Sequence, residues 1–488
     1  MIPERFEPVL RELQPLRDRF AAAGHRLFLV GGTVRDLIVG DQRTDFDLDA
    51  TTPARPPEIK RLLHGWADAI WTQGERFGTI GAMKRVTDPV TGATMERIYE
   101  ITTHRAEAYH DDSRKPDVDF SDDIEADLSR RDFTVNAMAL ELTAESPTLV
   151  DPFGGAADLA LRVLRTPLSP SESFSDDPLR MLRAARFIAR YALVPQPDLV
   201  GAVRTMGERL EIVSAERIRD ELDKLIVAPS PSAGLWFCVD TGLADHFLPE
   251  LPAMRLEHDP IHRHKDVLTH TLAVVENVRP QAEVPHRPPF DFRITRLAAL
   301  FHDVGKPRTR GIDPDRGGTT FHYHDAVGAR MTRKRMQALR YSKADVDAVT
   351  ELVALHLRMH TYQLGWTDSA VRRYVRDAGD LLPELNELTR CDCTTRNERK
   401  AATSSRRMDE LEARIAELRE RETLDAIRPE LDGGRVMELL RIDPGRDVGR
   451  ALAMLLEIRL EEGVLGENAI TARLMAWWAE QRRAPDSR

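Results

Sequence analysis

The chain runs to 488 residues, more than one hydrophobic core usually serves, so two to four domains are expected. Apolar residues make up 42% and charged residues 31%, an ordinary soluble composition, and no stretch reaches the apolar length of a membrane span. A net charge of −10 argues against indiscriminate gripping of long RNA but leaves room for a local basic groove. Cys238, Cys391 and Cys393 are too few for a disulfide framework and fit a reducing cytoplasm.

The first residues, MIPERFEPVLRELQPLRDRF, read as an amphipathic helix with charges throughout, not as a secretory signal. To about residue 165 short β-rich runs alternate with turns. LFLV (27–30), TDFDLDA (44–50), GTIGAMKRV (78–86) and RIYEITT (97–103) are predicted strands. From about 175 the pattern turns helical almost to the end, as in DPLRMLRAARFIARYAL and SAERIRDELDKLIV. RPQAEVPHRPPFD (279–291) is a predicted loop inside a later helical domain. Residues 396–422 form a charge-dense helix that reads as a solvated face, with a basic start that could instead touch RNA.

LFLVGGTVRD puts a strand, a glycine pair and a helix start in sequence. Gly31 and Gly32 let the backbone approach phosphate oxygens, and the helix N-terminus favours anions, although any tight strand-to-helix turn uses glycine. Asp45, Asp47 and Asp49 alternate along a strand, so all three carboxylates share a face opposite Phe46 and Leu48. Clustered carboxylates are costly without a cation, and hard oxygen ligands suit magnesium; the competing reading is a solvated charged edge strand.

In SFSDDPLRMLRAARF, Ser175 is the expected N-cap, with Asp176 and Asp177 in the first turn and Arg180 pairing with Asp176. The same residues could choose a base. Cytosine and adenine present an amino donor beside a ring-nitrogen acceptor, so a carboxylate and an arginine fit both and refuse guanine and uracil. A mismatched edge leaves buried polar groups unpaired, at about 1–3 kcal/mol each.

Further along, His270, His302-Asp303, His324, His356 and Asp392 stand in helical contexts. Imidazoles and carboxylates of this kind suit one or two divalent metals. A lone histidine on an apolar helix is usually a packed residue, but FHDVGKP within an ordered series is more specific. Two close cysteines flanking Asp392 read as core residues, not zinc ligands.

Taken in order, GGTVRD (31–36), DFD (45–47), ERFGT (75–79), EITTHR (100–105), SRKPDVDF (113–120), DLSRRDFTVNAMAL (127–140), DPFGGAADL (151–159) and DDPLRMLRAARF (176–187) resemble the polymerase-β-like nucleotidyltransferases. Within these the likeness is to the bacterial CCA-adding enzymes of the eubacterial–eukaryotic class. The resemblance implies an α+β chain, with a polymerase-β-like head of mixed sheet and helices ahead of all-helical domains. It picks Asp45 and Asp47 as Mg²⁺ ligands; Asp49 replaces the family's usual small or polar residue, leaving three carboxylates for two places. Glu100 is the implied third carboxylate, helping to deprotonate an attacking 3′-hydroxyl. Arg35 and Asp36 would position the triphosphate and order the site, and Arg131, Asp132 and Asn136 would hold ribose and base. A structural ion pair between Arg131 and Asp132 is the alternative there. The DDPLR segment matches the family's nucleotide-template motif, with Asp176 in place of the usual Glu, so Asp177 and Arg180 are the expected readers. Arg183 and Arg186 on that helix would pack or contact phosphate.

The histidine series resembles the HD phosphohydrolases. That carries His270, His302, Asp303 and Asp392 over as ligands, with His324 and His356 for a second metal, which Mn, Ni, Fe or Co could fill. Some relatives of this kind act on 2′,3′-cyclic phosphates, which implies repair of damaged tRNA 3′ ends.

The expected division is 1–165 nucleotidyltransferase head, 166–255 helical neck, 256–395 HD domain and 396–488 helical tail. The resemblance implies CTP, ATP and the tRNA acceptor arm as partners, with no membrane and no protein partner. Poly(A) polymerases share the head motifs but are expected to carry a basic tail and no HD domain, and enzymes adding only A or only CC share the head as well. Makers of hyperphosphorylated guanine nucleotides put HD first and lack RRDFT. A non-catalytic tRNA-binding protein would not keep a full set of carboxylates and histidines.

Overall fold

The computed structural model describes residues 3–40, 48–87, 92, 94–105, 120–256, 266–313, 318–359, 366–394, 398–422 and 427–483. Asp45 and Asp47, with most of SRKPDVDF, lie outside the described residues. The chain forms two compact units, Met1–Pro249 and Glu250–Arg488.

The first unit is built on a seven-stranded sheet of β1 (Phe28–Val30), β2 (Leu48–Thr52), β3 (Ala69–Trp71), β4 (Thr79–Thr87), β5 (Thr94–Thr103), β6 (Ala139–Glu141) and β7 (Thr148–Val150). The strand order is β3-β4-β5-β2-β1-β6-β7, antiparallel except where β2 runs parallel to β5. Side chains alternate across the sheet. Leu29, Leu48, Ala50, Ile80, Tyr99 and Ile101 share one core with the helix Glu7–Ala22, which presents Val9, Leu13, Leu16 and Phe20 at helical spacing. Phe28, Val30 and Ala139 face the other way, onto Ile124 and Leu128 of the helix Ile124–Ser129. Asp49 and Glu100 alternate with the first set, so they stand on this second face.

The helix Pro170–Asp176 opens with a capping box between Ser169 and Glu172. Ser175 therefore lies inside that helix and caps nothing. The break comes two residues later because Pro178 disfavours helical backbone at Asp177, whose φ of −143° and ψ of 101° are extended. Asp177 takes the capping role, accepting the Leu179 N–H at 3.1 Å at the start of the helix Leu179–Tyr191. The helices Ala215–Ile226 and Pro231–Asp240 pack against Leu179–Tyr191.

In the second unit the helix Phe292–Phe301 is central. It packs on Val267–Asn277, Lys343–Leu355 and Leu382–Asp392, and His324–Ala338 packs on Lys343–Leu355. A short hairpin, Arg310–Ile312 with Thr319–Phe321, interrupts the helices. The stretch 279–291 is irregular apart from one turn of 3-10 helix, Gln281–Glu283. The charge-dense helix Glu398–Arg421 is more than a solvated face, since it buries Met408, Leu411, Ile415 and Leu418 along one stripe. The helices Gly433–Leu440, Arg446–Glu462 and Glu467–Arg483 enclose a small core of their own.

Candidate active site and metal centre

β1 runs into the helix Gly32–Val39 through Gly31, whose φ of 72° and ψ of −135° are open to glycine and strained for other residues. A Cβ there would stand 3.2 Å from Nη1 of Arg131 and 3.8 Å from Oδ2 of Asp49. The glycine thus spares the turn backbone strain and leaves room for a guanidinium and a carboxylate.

Asp49 and Glu100 are register partners on β2 and β5, so their side chains leave the same face at adjacent positions. Both line a cavity of about 390 Å³, together with Asp127, Arg105, Arg130, Arg131 and Arg180. Carboxylates fit a hard divalent cation, and guanidinium groups fit phosphate oxygens. Arg131 donates to Asp127 at 3.3 Å. The sequence motifs held Arg105, Asp127 and Arg130 in plain view, but nothing in their spacing set them apart from surface charges.

The alternative of an Arg131–Asp132 ion pair gives way to a different pairing. Arg183 donates to Oδ2 of Asp132 from Nε at 2.9 Å and from Nη2 at 2.5 Å, while Oδ1 accepts from Asn136 at 2.9 Å. Burial alone would raise the Asp132 carboxyl, but the Arg183 and Arg180 guanidinium charges and the Asn136 amide outweigh it and hold it far below the carboxylate range. Arg186 pairs instead with buried Glu221. Arg35 donates to Asn136 at 2.5 Å and to Asp36 at 2.8 Å, and lies over the Tyr191 ring at 4.3 Å. Arg35, Asp36, Asp132 and Asn136 are all buried and none lines the cavity.

Of the expected readers, Arg180 lines the cavity and Asp177 does not. Arg180 does not follow the simple i,i+4 expectation; it donates to Ser173 Oγ at 2.9 Å and to the Arg130 carbonyl at 2.6 Å. Asp176 meets Arg130 at 3.5 Å, and Asp177 meets Arg217 at 2.7 Å.

All six histidine and aspartate residues expected in the second half come together. They form two groups, His270–His302–Asp392 and Asp303–His324–His356, each with its ligand atoms within 4.8 Å of one another. Asp303 bridges them: its Oδ2 lies 3.3 Å from His302 Nε2 and 3.7 Å from His270 Nε2, and its Oδ1 lies 3.5 Å from His324 Nε2 and 4.0 Å from His356 Nε2. His270 Nε2 is 2.9 Å from Asp392. Nδ1 of His302, His324 and His356 donates to the carbonyls of Ala299, Phe321 and Val353 at 2.8, 2.8 and 2.7 Å. That aims each Nε2 inward, the atom through which metal-binding imidazoles coordinate. His270 Nδ1 meets Thr394 Oγ1 at 2.8 Å. Asp303 Oδ1 is buried without a hydrogen bond, an orphan that a cation would satisfy. These residues therefore fit a divalent metal centre.

Burial pushes the His356 imidazole down to about 4 and lowers that of His324. Burial also opposes protonation of His302, but Asp303 and Asp392 lift it to about 9. Lys306, missed by the sequence reading although it stands in HDVGKP, donates to Asp303 Oδ2 at 2.6 Å. The glycine before it is needed for closeness: a Cβ on Gly305 would lie 2.1 Å from the His324 carbonyl. Cys391 is buried and Cys393 half-buried; neither belongs to the two groups.

Comparison with known proteins agrees with this architecture. Residues 27–165 match the poly(A) polymerase head domain, 195–254 a probable RNA-binding site of polymerase A, and 267–417 the HD domain. An A-adding tRNA nucleotidyltransferase of Deinococcus radiodurans is 35% identical over 93% of this chain and 95% of its own length. A CC-adding tRNA nucleotidyltransferase of Thermus thermophilus is 32% identical over 94% and 95%. A CCA-adding enzyme of Levilactobacillus brevis is 37% identical over 50% of this chain and 55% of its own. Among solved structures, the Bacillus stearothermophilus CCA-adding enzyme in complex with CTP shares the fold, with a TM-score of 0.68 at 23% identity over 99% of both chains. With likeness along nearly its whole length, the chain belongs to the tRNA nucleotidyltransferases built on a poly(A) polymerase head, and it carries an HD domain in its second half.

Proposed function

We propose that the chain adds C, C and A to the 3′ end of tRNA from CTP and ATP, releasing pyrophosphate. The observation that carries this reading is the Asp49–Glu100 register pair sharing one cavity with four arginines. Mg²⁺, for which Asp45 and Asp47 are the ligands the sequence motif offers, would supply activation of the attacking hydroxyl and neutralise charge on the leaving group. Glu100 accepts the proton of the tRNA 3′-hydroxyl. Arg131 and its neighbours Arg105 and Arg130 hold the triphosphate, braced by Arg35, Asp36, Asp132, Asn136 and Arg183. Asp177 accepts from the exocyclic amino group of cytosine or adenine, and Arg180 donates to the ring nitrogen.

The finer division is a head over 1–165, a neck over 166–255 whose helices grip the acceptor arm, an HD domain over 256–395 and a tail over 396–488. The work suits the cytoplasm, and among the described residues no helix is long and apolar enough to cross a membrane. In the HD domain, the six ligands would hold two divalent ions of the Mn, Ni, Fe or Co type. Such ions would supply an activated water for opening 2′,3′-cyclic phosphates at damaged tRNA ends.

The names of the two full-length relatives favour a second reading, in which the product is A alone or CC alone. Incubating the protein with tRNA lacking its CCA, or ending in CC, and with each nucleotide alone and together separates the readings. C, C and one A support the proposal. Addition of A only, or CC only, supports the second reading, and long A tails would mark a poly(A) polymerase. Conversion of 2′,3′-cyclic nucleotides to 2′- or 3′-monophosphates with Ni²⁺ or Mn²⁺ tests the HD activity, which is abandoned if no divalent metal elicits it.

A further inference from the structure

A line of hydrogen bonds leaves the helix Leu179–Tyr191 at Arg183 and returns to it at Tyr191. Arg183 donates to Asp132, whose other oxygen accepts from Asn136. The Asn136 side-chain oxygen accepts from Arg35 at 2.5 Å, and Arg35 donates to Oδ1 of Asp36 at 2.8 Å. The Tyr191 hydroxyl closes the line, donating to that same Oδ1 at 3.1 Å while it accepts from Nε of Arg190 at 2.9 Å. The Tyr191 ring also carries the Arg35 guanidinium, 4.3 Å from its centre. Burial pushes the phenol up from its ordinary value, so at neutral pH it remains a donor.

Arg183 and Tyr191 stand two turns apart, about 12 Å along the helix axis. Between them Phe187 packs on Phe133, with ring centres 5.0 Å apart, but apolar burial is non-directional and hydrogen bonds are not. The helix is therefore held to the segment 131–136 at two places: directly through Arg183, and through Asp36 and Arg35 at Tyr191. Each place has a cavity residue beside it in the chain. Arg131 precedes Asp132, and Arg180 precedes Arg183 by one turn and reaches the Arg130 carbonyl at 2.6 Å. We propose that Tyr191 is a positioning residue for nucleotide binding, which keeps Arg180 and Arg131 at the separation that one nucleoside triphosphate spans. This rests on the reading of Arg180 as a base contact and Arg131 as a phosphate contact. Without the Tyr191 hydroxyl, Asp36 and Arg35 lose their tie to the helix end, and base and triphosphate are no longer met together. A ligand made of phosphates alone engages only the Arg131 side and does not sense the change.

The test compares Tyr191→Phe, which removes the hydroxyl and keeps the ring, with Arg180→Ala in the full chain. The KM of whichever of CTP and ATP the enzyme adds is measured on tRNA lacking its CCA or ending in CC. Inhibition by tripolyphosphate and the thermal midpoint are read alongside. For Tyr191→Phe the nucleotide KM is expected to rise roughly tenfold, the scale of one hydrogen bond to a charged partner, with tripolyphosphate inhibition and midpoint unchanged. An unchanged KM in Tyr191→Phe, while Arg180→Ala raises it, overturns the role of Tyr191 and leaves the base contact standing. An unchanged KM in both variants overturns the base contact at Arg180 and the proposal with it. Equal weakening of nucleotide and tripolyphosphate with a lowered midpoint would make Tyr191 structural and also defeats the proposal.

Discussion

Asp49 and Glu100 stand in register across the one parallel strand pair of the sheet, so two carboxylates 51 positions apart in the chain leave the same face as neighbours. They share their cavity with a set of arginines suited to a polyphosphate. Their roles separate under substitution. Glu100→Gln keeps the shape and removes the base, so nucleotide addition is expected to fall by about 100-fold or more, the usual worth of a positioned proton acceptor. Asp49→Asn acts on metal affinity, and excess Mg²⁺ recovers part of its activity. Rates of CTP incorporation at several Mg²⁺ concentrations check both, and a Glu100→Gln enzyme of normal speed would remove Glu100 from the chemistry.

Asp303 touches both halves of the histidine cluster, whereas His356 belongs to one. Asp303→Asn is therefore expected to abolish binding of both metals, and His356→Ala to remove one. Metal content after loading with Mn²⁺ and gel filtration, read by atomic emission, gives the stoichiometry. Equal losses in the two variants would contradict a bridging role for Asp303.

Arg183 and Asp132 form a hydrogen-bonded ion pair whose acidic partner is buried. Removing the carboxylate strands the guanidinium, and breaking such pairs typically costs about 3 kcal/mol or more. Asp132→Ala is expected to lower the urea midpoint of the first unit accordingly. Asp132→Asn, which keeps an oxygen facing Arg183, loses less. A midpoint shifted by only a few tenths of a kcal/mol would mean the pair is solvated.

His104 is buried beside Thr51, with its Nδ1 2.8 Å from the Thr51 hydroxyl, and burial pushes its imidazole down to about 4 against the opposing pull of Asp127. An unfolded histidine takes up its proton near 6.5, so between about 6.5 and 4 the unfolded state binds more protons. The contribution of His104 to stability is complete above that window and declines as the pH falls through it. Urea unfolding of the wild type and of His104→Asn, compared from about pH 7 down to pH 5, should show a shallower loss in the variant. Parallel curves would exclude the histidine as the source.

Much of this was legible in the residues. Glycine after a strand, alternating aspartates and HD followed by Gly-Lys-Pro each name a chemistry, because backbone freedom, strand alternation and ligand type are local properties. The resemblance then ordered these pieces into a head and an HD domain, and the fold agrees. The cap misplaced at Ser175 shows where local reading fails: the proline at 178 decides the helix boundary, and Asp177 inherits the capping role.

Pairing was the part the sequence could not supply. Side by side in the chain, Arg131 and Asp132 take separate partners, Asp127 and Arg183, and Asp177 is met by an arginine forty residues on. Residue types and their periods fix which groups reach a site, since they depend on neighbours a few bonds away. Which carboxylate meets which guanidinium depends on how helices and strands far apart in sequence are packed, and only the tertiary structure decides that.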